Sequence, residues 1–171
     1  MHKLLNVCPS RRFGRTEINM PVLSLGGMRF QHSWSDMEID DIKQNNQMNL
    51  ERIMHFATQN GLHHIETARH YGTSELQVGY GIQNVPDLKR IVQTKIPPKE
   101  DPNDFERELE RSFLQLKCHK LDLLAIHGLN LPEHLHQTIR PGGCLDVVRK
   151  WQANGRINHV GFSSHGSTEL I

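Results

Sequence analysis

The feature that most constrains this chain is a repeated alternation. Short apolar runs, turns marked by glycine or proline, and amphipathic stretches with helical spacing follow one another from residue 22 to the end. Val22-Leu23-Ser24-Leu25 predicts a strand running into Gly26-Gly27. From Asn49 to Asn60, Leu50, Ile53, Met54 and Ala57 share one helical face, and Gly61 stands where a terminating glycine belongs. His63 to Ala68 forms a short strand candidate around Ile65, after which Ser74 predicts a helix cap with Glu75 in the first turn. Ile91 to Ile96 predicts a strand closed by Pro97-Pro98, and Asp104 to Lys117 a helix with Phe105, Leu109, Phe113 and Leu116 as its apolar face. Leu121 to Ile126 predicts a strand, Pro132 to Ile139 and Cys144 to Ala153 helices, Ile157 to Ser163 a last strand, and Ser167 one more cap. The links are too short for anything but crossover connections, so the strands must run parallel in an α/β sheet.

About five strands is few for one closed solution and enough for another. An open doubly wound sheet normally carries a glycine-rich phosphate loop after its first strand. Here Gly26-Gly27-Met28-Arg29-Phe30 follows, with neither G-x-G-x-x-G nor a Walker loop. An eight-stranded barrel needs ~250 residues, and 171 are present. Twenty Lys+Arg against nineteen Asp+Glu leave a formal charge of +1, which argues against a nucleic-acid partner held through phosphates. No apolar run reaches the ~18–20 residues of a spanning helix. The opening Met1-His2-Lys3-Leu4-Leu5-Asn6-Val7 is too short for a signal-peptide core, so no membrane partner is expected and the cytoplasm is the default compartment.

Polar residues cluster where the predicted strands end: Glu66, Lys95, His127 and Ser163-Ser164-His165, with Tyr71 in the loop after Glu66. In a parallel barrel those ends converge on one mouth. A lysine near a tyrosine favours the phenolate and lowers its pKa. A carboxylate can hold that lysine, and an imidazole N–H can bond a carbonyl oxygen. This is equipment for protonating an alkoxide as a hydride reaches carbon. Arg69 and His70 read as rim residues without chemical work, and Leu25, Ile65, Val92 and Leu124 as the layer lining the barrel interior. The twelve histidines suggest metal only weakly, as the one ground for a metal-dependent hydrolase. His63-His64 point to opposite faces of a strand, His134 and His136 fall on different sides of a helix, and no H-E-x-x-H occurs. Cys8, Cys118 and Cys144 form no CxxC pair, so neither a metal site nor a disulfide framework is expected.

The run Ile65-Glu66-Thr67-Ala68-Arg69-His70-Tyr71-Gly72-Thr73-Ser74-Glu75 resembles the second-strand signature of the aldo-keto reductases. Gln93-Thr94-Lys95, Leu124-Ala125-Ile126-His127 and the stretch from Gly155 to Ser163 resemble later strands of that family in the right order, and the Arg12–Thr16 segment its opening hairpin. The resemblance implies a parallel (β/α)8 TIM-barrel type fold, here about the first five β/α units behind an N-terminal β-hairpin, as one incomplete domain over residues 1–171. It implies Tyr71, Lys95, His127 and Glu66 as catalytic residues, and Gly27, Met28, Arg29, Ser163 and Ser164 as contacts of NADPH or NADH. A small carbonyl compound would be the substrate.

Two departures accompany the resemblance. Glu66 stands where the usual pattern has aspartate. A branch with Ile-Glu-Thr-Ala carries an iron–sulfur segment near its C-terminus, and no such cysteine cluster occurs here. The family's last three strands and its adenosine-phosphate loops also have no counterpart. The expectation is a truncated gene, a split gene or an expressed fragment, with weak cofactor binding by the chain alone. The competing expectation is a non-catalytic assembly subunit whose open barrel edge pairs with a second copy or with another chain that supplies the missing strands.

Overall fold

The computed structural model describes residues 7–85 and 90–169. The opening residues 1–6, weighed above as a leader, lie outside the described residues, as do the last two beyond the turn that follows Ser167. An antiparallel hairpin, β1 (Ser10–Arg12) and β2 (Asn19–Pro21), precedes five parallel strands: β3 (Leu25–Gly26), β4 (His64–Glu66), β5 (Ile91–Ile96), β6 (Leu121–Ile126) and β7 (Ile157–Phe162). These pair in sequence order, β3-β4-β5-β6-β7, leaving β3 and β7 as the edges. Helices α1 (Gln44–Gln59), α2 (Ser74–Asn84), α3 (Pro102–Leu116), α4 (Pro132–Ile139) and α5 (Cys144–Ala153) fill the crossovers. Among the described residues no helix is long and apolar enough to cross a membrane.

Most predicted elements stand, and the departures have local causes. Val22 and Leu23 lie in an exposed bend rather than a strand; only Leu25-Gly26 pairs, with Ile65-Glu66. Helix α1 begins at Gln44, before its apolar period starts, because Gln47 bonds to Glu51 at 2.8 Å and to the Gln77 carbonyl at 3.1 Å. Ser74 is not the cap of α2: Thr73 holds that position, and the buried Ser74 hydroxyl donates to the Gly27 carbonyl at 3.1 Å instead. Helix α3 starts at Pro102, with Asp101 accepting from the Asn103 N–H at 2.8 Å.

The core runs between the sheet and the helices. Ile65, Val92, Ile96, Leu124 and Ile126 pack beneath Leu50, Met54, Val78, Phe105, Leu109 and Val148, each nearly or wholly buried. This overturns the expectation that Leu25, Ile65, Val92 and Leu124 line the barrel interior. Ile65, Val92 and Leu124 are at most 3 % exposed, and Leu25 packs against the same cluster. Alternation along a strand separates two faces, and the apolar set turned to the helices. The opposite face carries His64, Glu66, Gln93 and Lys95. Near the start of β5 it is covered by the hairpin, where Ile18 and Met20 pack on Ile91 and Leu123.

Candidate active site

Register brings the polar strand ends together. Lys95 pairs with Ala125 across β5–β6 and Glu66 with Gln93 across β4–β5. Glu66, Lys95 and His127 thus stand at the ends of three consecutive strands. After Glu66 the backbone keeps bonding to β5, Thr67 N–H to Gln93 O and Arg69 N–H to Lys95 O, both at 2.9 Å. A turn closed from the Tyr71 N–H to the Ala68 carbonyl at 3.0 Å then aims Tyr71 back over the strand ends. Gly72 permits this turn: its φ is +52°, and a Cβ there would lie 2.0 Å from the Ser33 carbonyl oxygen.

Within this cluster the Lys95 ammonium pairs with the Glu66 carboxylate and lies 4.8 Å from the Tyr71 ring centroid. The Tyr71 and His127 rings meet edge to face, with centroids 5.9 Å apart. His70 is 6.1 Å from His127 on the exposed side. Burial lowers Lys95 to about 8, while the adjoining carboxylate favours its charged form. Burial also lowers His127 to about 4, helped by Lys95, His70 and His165, so its imidazole is neutral at pH 7. The Tyr71 phenol moves the other way from the sequence-based expectation: burial raises it. The lysine stands over the ring face and is paired with Glu66, so its charge does not offset the loss of hydration. The Nδ1 of His127 is buried and has no hydrogen-bond partner among the described residues.

The residues assigned to a cofactor are less concentrated. Gly27 is packed shut: a Cβ there would meet Ser74 Oγ at 2.6 Å and the Glu66 carbonyl at 3.1 Å, so this glycine serves close approach of the chain. Met28 is half-buried and Arg29 exposed, in the turn after β3. Ser163 Oγ accepts from the Gly128 N–H at 3.1 Å, and Ser164 Oγ donates to the Leu129 carbonyl at 2.6 Å. Both hydroxyls therefore pin the loop that follows β6 and His127. No cluster of three or more metal-ligating side chains exists among the described residues.

Arg69 is not a rim residue. Its guanidinium is buried and bonds to Glu75 at 3.1 Å, Gln115 at 2.8 Å, Glu108 at 2.9 Å and the Asp36 carboxylate. Glu75 in turn accepts from Thr94 Oγ1 at 2.6 Å. This network ties the loop carrying Tyr71 to α2, α3 and β5. Sequence reasoning missed it because Asp36, Glu108 and Gln115 are remote in the chain.

The chain matches the model of the Aldo/keto reductase family over residues 22–171. No curated protein matches it. Among solved structures it is similar to an aldo-keto reductase of Pseudomonas aeruginosa, at 18 % identity and TM-score 0.75, covering 96 % of this chain and 64 % of that one. An aldo-keto reductase of Bombyx mori, solved with NADP, is 22 % identical with TM-score 0.64, covering 91 % and 50 %. One from Klebsiella pneumoniae, solved with NADP and acetate, is 21 % identical with TM-score 0.69, covering 95 % and 52 %. The chain thus spans between half and two thirds of the length of these neighbours. The likeness carries the fold: five parallel strands and their helices, matching part of the barrel of those proteins.

Proposed function

The chain belongs to the aldo/keto reductase family, and from that membership we propose that it carries the proton-donating site of an NADPH- or NADH-dependent oxidoreductase that reduces a small carbonyl compound to an alcohol. The observation that carries this reading is the convergence of Tyr71, Lys95, Glu66 and His127 at consecutive strand ends. Tyr71 is the group that donates a proton to the carbonyl oxygen as negative charge grows there. His127, lowered to about 4, is neutral at pH 7 and so is no general acid, but its one ring N–H can donate a hydrogen bond that orients that oxygen. Lys95 stabilises the phenolate left behind, and Glu66 fixes the ammonium.

The donor set suits a nicotinamide ring. Ser163 accepts one bond and keeps its own O–H for a carboxamide oxygen, while Ser164 keeps acceptor capacity for a carboxamide N–H. Arg29, exposed after β3, offers a cation for phosphate, beside Met28 and Gly27. When bound, the reduced nicotinamide supplies the hydride; Tyr71 supplies the proton. Loss of NADPH or NADH absorbance with a panel of aldehydes tests the reading. Tyr71→Phe should cut turnover by about two to four orders of magnitude, and turnover equal to the parent overturns it.

A second reading rests on the sheet edges. Among the described residues strand β7 has no neighbour beyond it, and Ile126, Leu129, Leu135, Ile139, Val160 and Phe162 line an apolar groove alongside. Unpaired edges with apolar flanks invite strand addition, which favours an assembly subunit paired with another chain. Light scattering after size-exclusion chromatography separates the readings: a monomer at all concentrations counts against assembly between copies.

A further inference from the structure

The sheet face that carries Glu66 and Lys95 holds a second polar chain, nearer the starts of the strands. His64 precedes Glu66 by two positions on β4, and Gln93 precedes Lys95 by two on β5. Each therefore points the same way as its successor, roughly 7 Å further down its strand. Ser24 stands just before β3 and beside His64, since Leu25 pairs with Ile65. Ser24 Oγ and His64 Nδ1 are 2.6 Å apart, and His64 Nε2 and Gln93 Oε1 are 3.1 Å apart.

These contacts fix where the protons lie. The Gln93 carbonyl oxygen can only accept, so His64 Nε2 carries the ring proton and donates it. Burial holds the imidazole below its ordinary range, against the Gln93 bond, with His63 and Lys95 lowering it further and Asp122 raising it. The ring is thus neutral at pH 7, Nδ1 presents a lone pair, and the Ser24 hydroxyl donates to it. His64 is 6 % exposed, whereas Ser24 is open to solvent at the β3 edge of the sheet. Among the described residues no other serine hydroxyl meets an imidazole. A reachable hydroxyl bonded to a buried base, itself held in one tautomer by a third group, is the arrangement that activates a nucleophile.

We propose that Ser24, His64 and Gln93 form a second reactive site, at which Ser24 accepts acyl groups from small activated carboxylic esters. The Ser24 oxygen bonds to the acyl carbon as the bond to the ester's leaving oxygen breaks. The hydroxyl proton passes to His64 Nδ1, and the leaving group departs as its anion. Water then attacks the acyl-serine, its proton is taken by Nδ1, and Ser24 leaves with that proton restored to its oxygen as the acid is released. Gln93 holds the ring and is a positioning residue. Three side chains supply a base and its orientation, so the leaving group must be a good one, which selects aryl esters. The exposed Val22 and Leu23 beside Ser24 offer such a group apolar surface.

The test is acetylation by p-nitrophenyl acetate, followed by p-nitrophenolate release and located by peptide mass. Ser24 should be acetylated at least about a hundredfold faster than Ser35, an exposed serine whose hydroxyl meets no imidazole. His64→Gln should remove most of that advantage, and Tyr71→Phe should leave it, which separates this site from the reductase reading. Equal rates at Ser24 and Ser35, or an undiminished Ser24 rate in His64→Gln, overturn the proposal. The parent chain decides the matter independently of how that variant folds. Nitrogen NMR of His64 should show a protonated Nε2 and a bare, hydrogen-bonded Nδ1, and a proton resident on Nδ1 at pH 7 overturns the proposal.

Discussion

Two charged clusters grow from one short stretch of chain, and they are built on opposite terms. Arg69 and Glu75 are buried on the helix side of the sheet, where every arm of the guanidinium has a partner. Glu66 and Tyr71, on either side of Arg69, belong to the strand-end cluster. There, among the described residues, Lys95 pairs with Glu66 alone, Tyr71 offers its ring, and a nitrogen of His127 goes without a partner. The first arrangement is what a buried charge needs to be tolerated. The second leaves a buried polar atom, His127 Nδ1, without a partner among the described residues. Completeness of pairing thus separates the group that holds the loop from the group that works on something outside the chain.

The sharpest way to break that comparison is Tyr71→Phe. It should lower turnover by about two to four orders of magnitude while moving the unfolding midpoint little, because the ring contact with His127 survives. Denaturant unfolding beside steady-state kinetics checks both halves. Arg69→Met should do the reverse. It leaves Glu75 buried without its cation, at a cost of about 3–5 kcal/mol, read as a shift of the urea midpoint. Stability equal to the parent would show that the network is not the brace it resembles.

The third prediction sets activity against stability in one pH window. Lys95 is lowered by burial to about 8 from 10.5. As pH rises through about 8 the ammonium is lost in the folded chain, so the phenolate loses its stabilising charge and turnover should fall. The unfolded chain still binds that proton up to 10.5, so the cost of burying the ammonium, fully present below about 8, fades across the same range. The Lys95 contribution to stability therefore rises with pH where activity declines. Comparing parent and Lys95→Met across this range, by turnover and by unfolding free energy, isolates both slopes; parallel slopes would contradict the assignment. The smallest effect is expected from Glu66→Asp. The carboxylate remains, one methylene shorter, and turnover should change by less than about tenfold. A larger drop would show that the reach of Glu66 to Lys95 is tuned to its length.

Much of the site is legible in the sequence because its members sit at the ends of readable strands. Ile91–Ile96 begins and ends apolar before Pro97-Pro98, and Leu121–Ile126 is apolar but for Asp122, so their clear stops mark Lys95 and His127 as strand-end residues. Tyr71 is legible only through the motif around it, since nothing local says where a loop will aim a ring. Gly72 is the cue in that motif, and its positive φ shows why. The direction of the Tyr71 shift is not legible. It depends on whether an ammonium lies beside the phenol oxygen or over the ring, and on how much water the oxygen keeps.

Within each strand, sequence alone separates Ile65 from Glu66 and Val92 from Lys95, because successive side chains must point to opposite sides of a strand; that Ile65, Val92 and Leu124 share one face is set by the pairing register of β4, β5 and β6. Which face meets helices is not a property of the strand. It was decided when α1, α2 and α3 packed down on Ile65, Val92 and Leu124, leaving the polar set for the hairpin and the site. The same holds for charge. The composition of the 66–75 stretch specifies two acids, an arginine and a tyrosine close together. Only the fold brings Asp36, Glu108 and Gln115 to Arg69 and brings Lys95 to Glu66. Pairing energies act through space, and the partners come from elements that sequence distance keeps apart.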